Sequence, residues 1–139
     1  MKKTIAAMAS ALILAGCMTS SNSAKIGDQL FNKEWQLSQI DGAFIDTEIV
    51  KQVPNFTLET GGRITGVGGC NRFFGDATLD GTHLSAPALA STKMMCIQNE
   101  VATIEAQFMQ ALSQGVHVEF LNESEVTLKG EAHTFVFTR

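Results

Sequence analysis

The sequence predicts a small domain of mainly β, α+β class: an antiparallel, barrel-like sheet with one helix packed on it. Two observations carry this expectation. After Asn32, apolar residues alternate with polar ones at period two, and Asp-Gly and Gly-Gly pairs punctuate the alternation. Half-buried strands joined by tight hairpins require that pattern. One later segment instead repeats at three and four residues, the spacing of a helix with a single apolar stripe. The chain left for this domain suits one hydrophobic core and is too short for two.

The N-terminus reads differently. Met1-Lys2-Lys3 is basic, and the residues from Ile5 to Ala15 are apolar or small, broken only by Ser10. The run ends in Leu14-Ala15-Gly16-Cys17. Charge, length and small-residue exit are those of a secretory signal peptide. The run is shorter than the roughly 20 apolar residues of a membrane-spanning helix. The Leu-Ala-Gly-Cys ending resembles the cleavage box of bacterial lipoproteins. That resemblance implies that residues 1–16 are removed and that Cys17 becomes a lipidated first residue. The lipid would hold the domain at a bilayer without spanning it. Met18 beside the cysteine, where an aspartate does not stand, resembles the sorting pattern for the outer membrane, with the domain facing the periplasm. An ordinary cleaved signal with an unmodified Cys17 is the plainer alternative.

Residues 17–29 are expected to form the lipidated cysteine and a flexible tether. The stretch from Met18 to Ala24 is small and polar, with nothing to bury. Ordered structure is expected to begin between Leu30 and Trp35, so the domain is placed at 30–139. The formal charge of the whole chain is −4; losing Lys2 and Lys3 takes it two units lower, to −6. An acidic domain without a basic run is a poor partner for a phosphate backbone, so no nucleic acid is expected.

Within the domain, Trp35 and Leu37 alternate, and Ile40 ends that strand at the turn pair Asp41-Gly42. Phe56 and Leu58 follow Pro54. Thr60-Gly61-Gly62 turns the chain, because glycine accepts positive φ at little steric cost. Ile64 begins the return. Phe73, Gly75, Ala77 and Leu79 share one face of the next strand, and Asp80-Gly81 signals a hairpin. Val116, Val118 and Phe120, then Val126 and Leu128, then Phe135 and Phe137 complete the pattern, with a turn at Lys129-Gly130-Glu131. This spacing gives about seven or eight short strands. Val101, Ile104, Phe108 and Leu112 mark a helix over 99–113. Asn99 is its expected cap, Glu100 faces the positive end of the dipole, and Gly115 ends it in the left-handed conformation. Glu105 is assigned to the solvated face.

Three separated pieces carry a family resemblance: Trp35-Gln36-Leu37; Gly66-Val67-Gly68-Gly69-Cys70-Asn71-Arg72-Phe73-Phe74-Gly75; and Thr92-Lys93-Met94-Met95-Cys96. Together they resemble the META domain family, specifically its bacterial heat-shock lipoproteins. There a Gly-Cys-Asn segment and a Thr-x-Met-x-Cys segment recur around a small antiparallel sheet with a helix. The matching positions are Gly69, Cys70 and Asn71, then Thr92, Met94 and Cys96, with Trp35 and Gly75 as further motif residues. Met95 stands where alanine is typical. The resemblance implies heat-inducible expression and novobiocin tolerance, and brings no enzymatic activity with it.

Read as chemistry, the same residues are structural first. The glycines permit bulges and close backbone approach in a curved sheet. A phosphate loop is excluded, because no lysine with Ser/Thr follows them at the required spacing. Asn71 is expected to bond its local backbone or to adopt positive φ, with ligand contact as the alternative. Arg72 either pairs with a carboxylate or is solvated. Of three cysteines, lipid consumes Cys17 and leaves Cys70 and Cys96 as an even pair in an oxidising compartment. One motif contributes each, and a structural disulfide between them is expected. It would close a loop of about 26 residues, for which chain entropy gives roughly 3–4 kcal/mol. Two buried free thiols, or a redox pair without Cys-x-x-Cys spacing, remain alternatives. Zinc on Cys70, Cys96 and a histidine lacks ligand spacing. His83, His117 and His133 are far apart in sequence, and Glu100 and Glu105 diverge around the helix. Met94 and Met95 are assigned to the core.

The expected function is therefore a non-enzymatic outer-membrane lipoprotein, without cofactor or metal, in envelope homeostasis, heat-shock response and novobiocin tolerance. Its partners would be the membrane, through Cys17, and an envelope protein. A binder of a small hydrophobic ligand inside the barrel is one alternative. An inhibitor of an envelope-directed hydrolase, using a protruding Thr82–Lys93 loop, is another. A hydrolase built on Cys96, His83 and an acidic residue is the least supported.

Overall fold

The computed structural model describes residues 20–139; the signal segment, Cys17, Met18 and Thr19 lie outside the described residues. The elements in chain order are α1 (Ser20–Leu30), β1 (Glu34–Ile40), β2 (Ala43–Phe44), β3 (Asn55–Leu58), β4 (Arg63–Val67), β5 (Arg72–Asp76), β6 (Thr78–Asp80), β7 (His83–Ser85) and β8 (Ala90–Ser91). Then follow α2 (Asn99–Gln114), β9 (Val116–Asn122), β10 (Glu125–Lys129) and β11 (Thr134–Thr138). Among the described residues no helix is long and apolar enough to cross a membrane.

One antiparallel sheet runs β6-β7-β9-β10-β11-β1-β3-β4-β5-β8, with β2 paired to β1 off this path. β5 lies near one end of that order and β6 at the other, yet only Ala77 separates them in sequence. The sheet must therefore curl back on itself, giving the expected barrel-like shape in the form of a half-barrel. Among the described residues eleven strands replace the expected seven or eight. β2 and β8 have two residues each, too short to show a periodicity. The single strand expected through Phe73, Gly75, Ala77 and Leu79 is broken at Ala77, whose N–H donates to Gly62 O at 2.6 Å.

The turns follow their residues. Asp41 and Gly42 both take positive φ, +51° and +83°, and join Ile40 to Ala43 in a two-residue hairpin. That pair of angles is a type I′ turn, whose twist matches the strands. At Gly81 (φ +62°) the turn links Asp80 to His83.

The core is aromatic. Trp35, Phe56, Phe73, Phe108, Phe135 and Phe137 are all buried. The Phe108 ring, on α2, lies 5.2 Å from Phe137, 5.6 Å from Phe135, 5.8 Å from Phe73 and 6.4 Å from Phe56, centroid to centroid. The helix thus inserts the stripe of Val101, Ile104, Phe108 and Leu112 into the concave face of the sheet. These side chains fill the interior, as in most small barrels, where the hydrophobic-ligand alternative needs a sizeable cavity.

Three local expectations change. Residues 20–29, read above as tether, are helical in α1 (Ser20–Leu30), and order begins before Leu30. Leu30 is fully buried, and Ile26 and Phe31 pack on the core. Trp35 Nε1–H donates to Leu30 O at 3.1 Å, pinning the helix end. The cap of α2 is Gln98, without a side-chain bond, and Asn99 is already helical. Gly115 does end α2 with positive φ (+99°), but its ψ of 144° is extended instead of left-handed helical. A Cβ there would lie 2.4 Å from His83 Nε2, so the ring's close approach also requires glycine.

Candidate functional site: a clasp of motif residues

β4 delivers the chain to Gly68, Gly69, Cys70 and Asn71 at one end of the half-barrel, beside the first turns of α2. Gly69 has φ +126°, which side-chain-bearing residues rarely adopt. At Gly68 a Cβ would stand 2.6 Å from Glu105 Cγ. The two glycines therefore let the backbone approach the helix closely enough for hydrogen bonds to its side chains.

Glu105 makes those bonds. Its Oε2 accepts from the backbone N–H groups of Cys70 (3.0 Å) and Asn71 (2.6 Å), and its Oε1 accepts from Asn71 Nδ2 (2.6 Å). Asn71 is 8% exposed. Its Oδ1 accepts from Met94 N–H (2.7 Å) and Thr92 Oγ1–H (3.0 Å). Thr92 Oγ1 in turn accepts from Arg72 N–H at 3.1 Å. The amide orientation is fixed by this arrangement, because only Oδ1 can receive the two donors and only Nδ2 can serve the carboxylate. Cys70 and Cys96 are joined by a disulfide, with Cα atoms 5.9 Å apart. One buried asparagine thus ties the glycine segment, the Thr92–Cys96 segment and α2 together, and the disulfide locks the first two covalently.

Several expectations are corrected here. The Asn71 side chain bonds distant segments and not its local backbone, and its φ is not positive. Glu105 is half-buried in the clasp and does not lie on a solvated face. Met94 and Met95 are exposed, at 58% and 91%. They leave the core because Met94 N–H is held by Asn71 and Cys96 by Cys70, which turns the intervening side chains outward. Arg72 is solvated, its side chain without a carboxylate partner among the described residues. Trp35 and Gly75 stand apart from the clasp. Trp35 is in the core, and Gly75 lets Leu89 approach, since a Cβ would meet its Cδ2 at 3.0 Å.

The chemical alternatives are not assembled. Both Cys70 and Cys96 thiols are consumed in the disulfide, so neither is available as thiolate ligand or nucleophile. His83 packs on Gly115 beyond the C-terminal end of α2, whereas Cys96 precedes its N-terminus. The helix separates them by about 24 Å. His117 Nδ1 bonds Thr82 Oγ1 (2.9 Å) and His133 Nδ1 bonds Asp41 Oδ2 (2.7 Å). Among the described residues no group of three or more His, Cys, Asp or Glu side chains is placed to hold a metal ion. The Thr82–Lys93 segment does not protrude as a loop: Leu84 and Ala86 are buried, and β7 and β8 join the sheet.

Losing the Glu105 carboxylate leaves three donors without their acceptor. Glu105→Ala is therefore expected to destabilise the domain by about 1–3 kcal/mol, where a solvated glutamate would cost almost nothing. Urea unfolding of the variant measures this. A pH effect arises elsewhere. The His133 hydrogen bond, and then that of Thr134 N–H, hold Asp41 below the ordinary aspartate value of 3.8, against a small opposing effect of burial. A depressed folded pKa stabilises above the unfolded pKa, and that stability is lost as pH falls through the folded value. Asp41→Asn is thus expected to flatten the loss of stability below about pH 4, by a modest amount because the site is screened by solvent. Unfolding midpoints across that pH range check it.

The curled antiparallel sheet with its packed helix, and the Gly-Cys-Asn and Thr-x-Met-x-Cys segments it brings together, agree with the family resemblance of the sequence. Residues 28–139 match the META domain, and the chain belongs to that family. It is similar to heat shock protein HslJ of Escherichia coli (strain K12), with 28% identity over 137 residues, covering 99% of this chain and 95% of that protein. Two NMR structures are similar in fold and sequence. One is 26% identical with a TM-score of 0.68, over 80% of this chain and 92% of that one. The other, from Burkholderia xenovorans, is 25% identical with a TM-score of 0.65, over 97% and 98%. A crystal structure of a DUF4847 family protein from Bacteroides vulgatus, 13% identical with a TM-score of 0.55 over 81% and 96%, shares the fold.

Proposed function

We propose that this chain is a non-enzymatic lipoprotein of the outer membrane that supports the envelope during heat and novobiocin stress. The observation that carries the reading is the extent of the similarity to heat shock protein HslJ. It covers 99% of this chain, so it takes in residues of the leader as well as the META domain. The basic start, apolar run and Leu-Ala-Gly-Cys ending support a lipid on Cys17. A disulfide is most at home in an oxidising compartment such as the periplasm. The filled aromatic interior favours a scaffold over a carrier of a hydrophobic ligand.

Cells lacking the gene test this. They are expected to grow less well at elevated temperature and in novobiocin, and the full chain is expected to restore growth. Cys17→Ser is expected to restore it poorly while leaving the domain folded, because residue 17 precedes every core element. Intact-mass analysis of the membrane fraction is expected to show an acylated chain beginning at Cys17. Unchanged growth of the deletion strain would remove the stress role, and a mature mass beginning at Met1 would remove the anchor.

A further inference from the structure

Six large apolar side chains are exposed among the described residues, and three of them fall within four positions: Met94 (58%), Met95 (91%) and Ile97 (94%). Single exposed apolar residues are ordinary in soluble domains, whereas a contiguous group of them marks an interaction surface. This group sits on a loop held at two points, by Met94 N–H on Asn71 Oδ1 and by the disulfide at Cys96, the residue before Ile97. A loop ordered in advance loses little conformational freedom when it docks. Met95 and Ile97 line an open groove of about 430 Å³ together with Gly69, Cys70 and Val101.

Charge identifies the partner. The domain as a whole is acidic, yet Lys51, Arg72 and Lys93 lie beside this loop, and all three are exposed. Lys51 lines the same groove as Met95 and Ile97. Arg72 lines an adjoining one with Met94. Lys93 precedes Met94 in the chain. Lys51 alone has a carboxylate partner among the described residues, Glu48, in an exposed pair at 3.3 Å. Such surface pairs hold little energy and exchange readily. Exposed apolar side chains with cations beside them match a surface that is apolar inside and anionic outside.

We propose that the 94–97 loop is a membrane wedge that docks the domain on an anionic phospholipid surface. Met94, Met95 and Ile97 enter the boundary between headgroups and acyl chains, and Lys51, Arg72 and Lys93 meet the phosphates. The proposal rests on the lipid-anchor reading for its effective concentration: a tethered domain meets the same bilayer intramolecularly. The lengths are comparable. α1 ends where Phe31 bridges to Leu58, at one end of β3. The clasp lies at the other end, where a Cβ on Gly69 would stand 3.6 Å from Pro54 Cγ. The four residues of β3 span roughly 14 Å. The eleven residues of α1 span about 16 Å, and residues 17–19 add at most about 10 Å.

The test uses the lipidated full-length mature protein in vesicles of phosphatidylethanolamine and phosphatidylglycerol. Methionine methyls are isotope-labelled, and a fraction of the lipid carries a nitroxide on its acyl chain. Met94 and Met95 methyls are expected to relax several-fold faster than the methyl of Met109, which is half-buried on α2. Ile97→Glu is expected to reduce the difference, and so are vesicles of phosphatidylcholine alone. Equal relaxation of Met94, Met95 and Met109 would overturn the proposal and leave the loop as a protein-contact surface. The anchor is scored separately by intact mass. If Cys17 carries no lipid, the anchor reading fails alone, and the unlipidated chain with the same vesicles still decides the wedge: an Ile97-dependent enhancement supports it, and none overturns it.

Discussion

Replacing Phe108 with alanine is expected to lower the stability of the domain by about 3–5 kcal/mol. Phe108 is fully buried, and its ring meets four other phenylalanines at centroid separations of 5.2–6.4 Å. Truncation removes the transfer energy of a whole aromatic side chain and leaves a cavity. The walls of that cavity belong to β3, β5 and β11, strands held in register by their ladders, so they cannot collapse inward. Edge-on and tilted contacts to the neighbouring rings are lost as well, each a modest further term. Typical domains have only about 5–15 kcal/mol in total, so the variant should be close to unfolding at growth temperature. Urea unfolding, with Met95→Ala as the comparison, is the measurement. Met95→Ala should leave the midpoint nearly unchanged, since that side chain is 91% exposed.

Breaking the Cys70–Cys96 disulfide is expected to cost about 2–5 kcal/mol. The bond closes a segment with a sequence separation of 26 that includes β5, β6, β7 and β8. Without it the unfolded chain regains loop freedom. Replacing both cysteines with alanine avoids a lone reactive thiol and isolates this effect. The sheet should persist, because the aromatic core and the oxygen-accepting bonds of Asn71 and Glu105 do not depend on the sulfur atoms; only the long contact of Asn71 Nδ2 with Cys96 Sγ, at 3.6 Å, is lost with them. Denaturant midpoints of the double variant, beside the oxidised and chemically reduced parent, measure the loss. An unchanged midpoint would mean that the hydrogen-bonded clasp alone fixes the loop.

These two predictions differ in how far the sequence foretells them. The stripe of Val101, Ile104, Phe108 and Leu112 announces its burial through its spacing, and Asp41-Gly42 and Asp80-Gly81 announce their hairpins through backbone chemistry. The helix at Ser20–Leu30 is illegible for the opposite reason. Serine, asparagine and glycine predominate in its early turns, and only docking of Ile26 and Leu30 on the core gives it a reason to form. Glu105 is the instructive case. It lies four residues after Val101 and three before Phe108, on the flank of the buried stripe, and that position was a usable signal. Its partners, however, are 34 and 35 residues away, and only folding reveals them. The Asn71 bonds to Thr92 and Met94 are hidden in the same way. The family motif is visible as residue types, while the geometry that explains those types is not. Met94 and Met95 show the limit of composition: an apolar pair in a loop reads as core until the bonds on either side show which way the side chains turn.

The central claim is that the motif residues form a structural clasp in which Asn71 and Glu105 act as one unit. A double-mutant cycle with Asn71→Ala, Glu105→Ala and the double variant tests it most directly, read by urea unfolding of the oxidised protein. The two substitutions should be strongly non-additive, with a coupling of about 1–3 kcal/mol, because each single change already breaks the shared network. Additive losses, with no coupling, would contradict the clasp.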